Sequence, residues 1–158
     1  MYIFFDTETT GVNKSSDRVV QLAWLLATAS GKELRRQNFL IKPSGYEIPT
    51  TAEKIHGIST AVASRFGVPL RQALLEFSSD VDRCQVIVAH NLSFDLAMLR
   101  PEFDRENIIW RFDKKLMVCT MRASTNWCRL SKLDGRTGYK WPKLDELHYR
   151  LFGRYFEN

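Results

Sequence analysis

The stretch Tyr2-Ile3-Phe4-Phe5-Asp6-Thr7-Glu8-Thr9-Thr10-Gly11 decides how the rest of the chain is read. Tyr2 to Phe5 is a short apolar run with the length and aromatic content of a buried strand. It ends in two carboxylates at alternate positions, Asp6 and Glu8. Residues i and i+2 of a strand point to the same face, so both acids project into one pocket at the edge of a sheet. Two like charges held side by side repel each other unless a cation lies between them. Hard oxygen donors of this kind suit Mg²⁺ or Mn²⁺. The plainer alternative is a strand that runs out into an acidic, solvated turn, and the pair alone leaves both open.

Beyond Gly11, residues 12–18 are polar and turn-forming, and Val19 to Thr28 reads as a second, largely buried strand. Ser30-Gly31-Lys32 is a hairpin-type turn into a third strand from Leu34 to Ile41, closed by Lys42-Pro43. Three strands with short connections form an antiparallel meander. Thr50 or Thr51 is positioned to cap a short helix through Ile55, with Gly57 as its stop. Ser59 or Thr60 caps another. Pro69 suits the first turn of a longer helix whose apolar face is Leu70, Ala73, Leu74, Phe77 and Val81. Gln85 to Ala89 is a β-branched run fit for a central strand. His90-Asn91 makes a turn into a helix over Leu92 to Leu99, with Asp95 in its first turn, where the helix dipole favours an anion. Asp95 then lies just past the C-terminal end of a strand, where open α/β sheets hold their ligands. A short strand over Lys115 to Cys119, a helix over Thr120 to Arg129, a polar loop over 130–142 and a last helix over Lys143 to Phe152 complete the chain, Gly153 being the stop.

Composition sets bounds on this reading. A chain of 158 residues is about one domain and buries roughly 68–70% of its unfolded surface. A hydrophobic content of 44% and a charged content of 26% are ordinary for a globular protein. The net charge of +5 is compatible with a polyanionic partner. No segment approaches the ~18 consecutive apolar residues of a membrane span, and Met1 runs straight into the first strand with no room for a signal peptide. Cys84, Cys119 and Cys128 are odd in number and lack C-x-x-C spacing. They read as reduced thiols in a cytoplasmic protein.

Four strings carry a family resemblance. Phe5-Asp6-Thr7-Glu8-Thr9-Thr10-Gly11 resembles the first exonuclease motif of the DEDD-type 3′–5′ exonucleases, and Val88-Ala89-His90-Asn91-Leu92-Ser93-Phe94-Asp95 is similar to their second. Ile55-His56-Gly57-Ile58 resembles the HGI element of the branch (DEDDh) that includes the DNA polymerase III epsilon subunit. Lys143-Leu144 through Phe152-Gly153 is similar to the helix that leads into the third motif. The resemblance covers nearly the whole chain. It implies a ribonuclease-H-like α/β fold, a mixed five-stranded sheet in the order 3-2-1-4-5 flanked by helices. It also implies release of nucleotides from the 3′ end of DNA, or of RNA, by hydrolysis with two Mg²⁺ or Mn²⁺ ions about 3.5–4 Å apart. Asp6, Glu8 and Asp95 are then the catalytic, metal-holding carboxylates. Thr7, Thr9 and Thr10 line the pocket of the terminal nucleotide, and His56, His90, Asn91 and Phe94 lie against the substrate. The implied partner is single-stranded DNA at its 3′ end, with a polymerase as a further protein partner. His56 read on its own terms is equally a helix terminator, and Asn91 a helix N-cap.

The sequence departs from the family pattern at one place. The third motif, H-x-A-x-x-D, supplies a general base and a fourth carboxylate, and residues 1–158 stop at Tyr155-Phe156-Glu157-Asn158 where it would begin. His148 does not stand in by spacing, because five positions on lies Gly153. The reading is a single exonuclease domain over 1–158, truncated before that motif, without the helix that carries it and impaired as a nuclease. A general base contributes roughly 10²–10⁴-fold. The alternative is a non-catalytic nucleic-acid-binding module. Between Arg111 and Lys143 stand nine Lys/Arg against Asp113 and Asp134, with Trp127, Tyr139 and Trp141 interleaved, a pattern suited to single-stranded nucleic acid or simply to a solvated face. If the stretch binds, replacing Lys132 and Lys140 by alanine weakens binding and flattens its salt dependence; unchanged affinity in the double variant overturns the idea.

Overall fold

A computed structural model describes residues 1–132 and 136–156. Asp134 and Gly135 of the expected loop, and Glu157 and Asn158 at the end, lie outside them. Strands β1 (Tyr2–Thr9), β2 (Val19–Ala27) and β3 (Glu33–Leu40) form the antiparallel meander. They are followed by α1 (Thr50–His56), α2 (Thr60–Phe66), α3 (Leu70–Arg83), β4 (Val86–Ala89), α4 (Leu92–Arg105), β5 (Leu116–Cys119), α5 (Thr120–Cys128) and α6 (Leu144–Phe152). β4 joins β1 in parallel, β5 joins β4 in parallel, and the sheet order is β3-β2-β1-β4-β5.

Boundaries differ from the sequence expectation in ways that matter for the site. β1 does not end at Phe5: the ladder to β2 continues through Asp6–Ala23, Thr7–Leu22 and Glu8–Gln21, so both carboxylates belong to the strand itself. Strand pairing outweighs their low β-propensity because β2 offers an unbroken row of partners. α1 starts from Pro49 rather than from a threonine cap, its fixed φ of −61° leading directly into the helix. Pro69 does the same for α3. Ser59 caps α2, accepting from the Val62 N–H. α4 runs on past Leu99 to Arg105, with Pro101 inside it. α5 ends at Cys128, with Arg129 as a left-handed cap. The 130–142 loop carries an isolated bridge between Ser131 and Tyr139.

The two faces of β1 diverge. Ile3, Phe5, Thr7 and Thr9 are buried, while Phe4 and Asp6 face solvent, Phe4 being 42% exposed. The buried face packs against α3 and α4. There Phe77 meets Phe5 and Trp24 at ring-centroid distances of 5.3 and 5.2 Å, and Phe112 at 5.8 Å. Two buried acids tie the helices to the meander. Asp80 of α3 accepts from the Trp24 indole at 2.8 Å and pairs with Arg35 and Arg83. Glu102 of α4, wholly buried, accepts from Arg18 Nε at 2.8 Å, Arg18 Nη2 at 3.1 Å and the Val19 N–H at 3.1 Å, and pairs with Arg105 at 3.0 Å.

Removing one partner of such a buried pair strands the other charges. Glu102→Ala is expected to destabilise the domain by about 3–5 kcal/mol in urea unfolding. A loss under about 1 kcal/mol, the scale of an exposed pair, would show that the contact holds nothing together.

Candidate active site

The parallel ladder between β1 and β4 stops at Phe4–Val88. Beyond it, the β4-side edge of β1 has no strand partner, and its amides need one from elsewhere. α4 supplies it: Asp95 Oδ1 accepts from the Thr7 N–H at 3.1 Å and from Thr7 Oγ1 at 2.8 Å. The path from β4 to that point is short because His90 and Asn91 turn the chain within two residues. Asn91 takes the left-handed conformation (φ 68°, ψ 42°), tolerable for asparagine. Its side chain makes no cap bond, so Asn91 acts here as a backbone turn rather than an N-cap. Asp95 thus comes to the same sheet end as Asp6 and Glu8.

The three carboxylates share a mutual electrostatic field. Burial pushes the Asp95 carboxyl up to about 7, against the Thr7 hydroxyl bond that favours the charged form, with Asp6 adding to the rise. Glu8 is raised by burial and then by Asp6. Asp6 opens to solvent on one side, yet the protein around its carboxylate raises it too, with His90 pulling the other way. Among the described residues no three His, Cys, Asp or Glu side chains converge closely enough to hold an ion as they stand. In type the donors fit one: only oxygen, anionic, partly desolvated and mutually repelling, the setting in which a hard divalent cation is favoured.

Thr7, Glu8, Thr9, Thr10, His56 and Phe94 line one cavity of about 280 Å³, between the end of β1 and α1. Val12 and Ile55, to which the sequence assigned no role at the site, form its apolar lips at 83% and 84% exposure. The threonine hydroxyls are all engaged within the chain: Thr7 on Asp95, Thr9 on the Gly11 carbonyl at 2.6 Å, Thr10 on Asp17 Oδ1 at 3.0 Å. They shape the cavity rather than offer free donors. A Cβ at Gly11 would meet Asp17 Oδ2 at 2.5 Å, so a larger residue there would displace the carboxylate that accepts from Thr10 and the Asn13 N–H. His56 does offer a donor. Its Nδ1 accepts from the Ile58 N–H at 3.1 Å, which leaves the proton on Nε2, and Nε2 is buried with no partner among the described residues.

His90 and Asn91 do not line that cavity. Both ring nitrogens of His90 are taken up inside the chain, Nδ1 with Thr120 Oγ1 and Nε2 with the Pro142 carbonyl, each at 3.0 Å. Neither Thr120 nor Pro142 carried a signal in the sequence, because their role exists only once β5 lies beside β4. His148 sits apart, bonded to the Arg154 carbonyl and packed on Phe152 and Phe156.

Residues 3–136 match the model of the RNase_T family, described as exonuclease. The chain belongs to that exonuclease family, in the DEDD superfamily and on its epsilon-like branch. It is 33% identical over 108 residues to a PolC-type DNA polymerase III of Mycoplasma pneumoniae, covering 68% of this chain and 7% of that protein. It is 33% identical over 105 residues to a DNA polymerase III subunit epsilon-like protein of Rhodobacter capsulatus, covering 63% of this chain and 14% of the relative. The chain therefore spans a small fraction of these relatives. Among solved structures, E. coli exonuclease I in complex with a 5cy-dT13 oligonucleotide superimposes with a TM-score of 0.80 at 20% identity, over 96% of this chain and 36% of that one. The product-bound form of exonuclease I gives 0.73 at 22%, over 92% and 34%. These likenesses bear out the ribonuclease-H-like fold.

The raised Asp95 carboxyl has a measurable sign. Between about pH 4 and 7 the metal-free native state keeps a proton that the unfolded state has released, so this group's stabilising contribution is full below pH 4 and lost as pH rises through 7. Asp95→Asn keeps a neutral acceptor for Thr7. In chelator it is expected to be more stable than the parent by about 2–4 kcal/mol at pH 8, and nearly equal to it at pH 4. Thermal unfolding at the two pH values checks this; the same offset at both overturns it.

Proposed function

We propose that this domain hydrolyses phosphodiester bonds from the 3′ end of single-stranded DNA, with Asp6, Glu8 and Asp95 holding divalent ions. The observation that carries the reading is the buried Asp95–Thr7 bond, which draws three carboxylates to one sheet end beside a cavity with an unmet donor, His56 Nε2. The cavity is of a size to take one nucleotide. Val12, Ile55 and Phe94 supply apolar surface for base and sugar, and the His56 N–H supplies a bond to an acceptor on the nucleotide. The chemistry is addition of a water oxygen to phosphorus with departure of the 3′ oxygen of the preceding nucleotide, which takes up a proton. Divalent Mg²⁺ or Mn²⁺, when bound, supplies charge neutralisation at the phosphate and lowers the pKa of the attacking water. The chain's own residues orient the terminal nucleotide, hold the anionic donors on two elements, and keep the site partly dry.

Two features support reading residues 1–158 as a weak catalyst by themselves. The one histidine at the rim, His90, has both nitrogens engaged, and His56 presents a proton rather than a lone pair. Neither histidine therefore offers a free lone pair to the attacking water. The DNA polymerase III relatives make a polymerase our proposed protein partner, and a binding domain without turnover is the second reading.

Digestion of a 5′-labelled single-stranded oligonucleotide in Mn²⁺ tests the proposal. A slow ladder shortening from the 3′ end is expected, reduced about 10²–10³-fold by Asp6→Ala, the scale of losing one group that stabilises the transition state. Supplying an H-x-A-x-x-D helix in cis should raise the rate. Binding without a ladder, with no gain from that helix, would assign the domain to the binding class.

A further inference from the structure

The structure divides the basic stretch in two. Arg111, Lys114 and Lys115 precede β5 and lie at the sheet end away from the carboxylates. There Arg111 approaches Asp82 at 3.6 Å, and Lys115 Nζ donates to the Asp82 and Cys84 carbonyls. β5 runs parallel to β4, so everything after Cys119 emerges at the site's end of the sheet. Six Lys/Arg follow, from Arg122 to Lys143, against one acid, Asp134. Their engagement is unequal. Lys140 pairs with Glu146, and Lys132 donates to the Thr137 carbonyl. The Arg122 guanidinium lies over the Trp141 ring, 5.6 Å from its centroid.

Trp141 is 59% exposed. An indole left in water forgoes one of the largest apolar burials any side chain offers. The chain is nevertheless anchored beside it, because the next residue, Pro142, is buried and its carbonyl bonds His90 Nε2. A solvent-facing ring with a cation on it, next in sequence to the proline whose carbonyl bonds His90 at the site's rim, is a stacking surface. The end of β1 and Phe94 of α4 line the α1 cavity, while His90, at the β4–α4 turn, bonds Thr120 at the start of α5 and the Pro142 carbonyl beside Trp141.

We propose that Arg122 and Trp141 form a platform for the nucleotides immediately upstream of the 3′ end. A base stacks on the indole and a phosphate meets the guanidinium, so that the strand runs from the α1 cavity across the β1 carboxylates to α5. The inference rests on the 3′-end reading above and extends it to the upstream strand. Stacking on an aromatic ring tolerates any base, because every base has a π face, so the platform confers affinity without sequence preference. The guanidinium offers several donors in a planar fork to a phosphate. Lys132 and Lys140, already engaged within the chain, are the weaker members of the patch.

Binding of a fluorescein-labelled ten-nucleotide oligothymidylate and of thymidine 5′-monophosphate, both in Ca²⁺, separates the parts. Trp141→Ala is expected to weaken the oligonucleotide about tenfold and leave the mononucleotide unchanged. Trp141→Phe, which keeps a stacking ring, restores most of the loss and guards against a folding defect. Arg122→Gln should reduce the slope of log affinity against log salt by about 0.7, one phosphate's worth on a single strand. Oligonucleotide affinity equal to the parent's in Trp141→Ala would overturn the platform and point to a protein contact at this surface. A parent that binds neither ligand would overturn the 3′-end reading itself, and the platform with it.

Discussion

The bond pair from Thr7 to Asp95 is the constraint on which the rest of the site depends, because it joins residues 88 apart in sequence at the point where the parallel ladder gives out. β1 needs a partner for its amide beyond Phe4, and the first turn of α4 needs its carboxylate satisfied. One contact meets both needs, and it brings Asp95 to the sheet end that carries Asp6 and Glu8. The helix end of this arrangement is secured two turns further on by Glu102, which gathers Arg18, Arg105 and the Val19 amide. α4 is therefore held at both ends to the meander, once beside the site and once in the core.

Charge and burial act together at this junction. Burial raises all three carboxyls at this sheet end, Asp6 adds to the rise of Glu8 and Asp95, and the most buried of them rises furthest. Such an arrangement costs the metal-free domain stability, and a cation bound between the carboxylates would relieve that cost. The cavity beside it holds a different unmet group: His56 keeps a buried N–H without an acceptor among the described residues.

The histidines show how one residue type takes separate roles through its neighbours. His56 is oriented by a backbone amide two residues on and turns its proton inward. His90 is fastened between α5 and the residue after Trp141, and so links the site's rim to the surface beyond β5. His148 packs among aromatic rings near the chain's end. Only the second arrangement draws distant parts of the sequence together.

Much of this was legible in the residues themselves. Alternation in Tyr2–Thr9 put Asp6 and Glu8 on one face, the apolar spacing from Leu70 to Val81 marked α3, and Gly57 and Gly153 marked helix ends that adopt positive φ. The sheet order followed from the order of the motifs and the resemblance they carry. These are local properties: a period, a cap, a spacing. What the sequence could not contain were the long-range partners. Nothing in it distinguishes Glu102 from a solvated acid, Thr120 from a helix start, or Arg111 from Arg122 within one basic run. Those distinctions arise when β4 and β5 lie parallel beside β1, since parallel strands bring together residues that the chain separates by a whole helix. The sequence by itself determined which side chains share a face; tertiary structure decided which faces meet, because burial and hydrogen-bond satisfaction are properties of the packed chain.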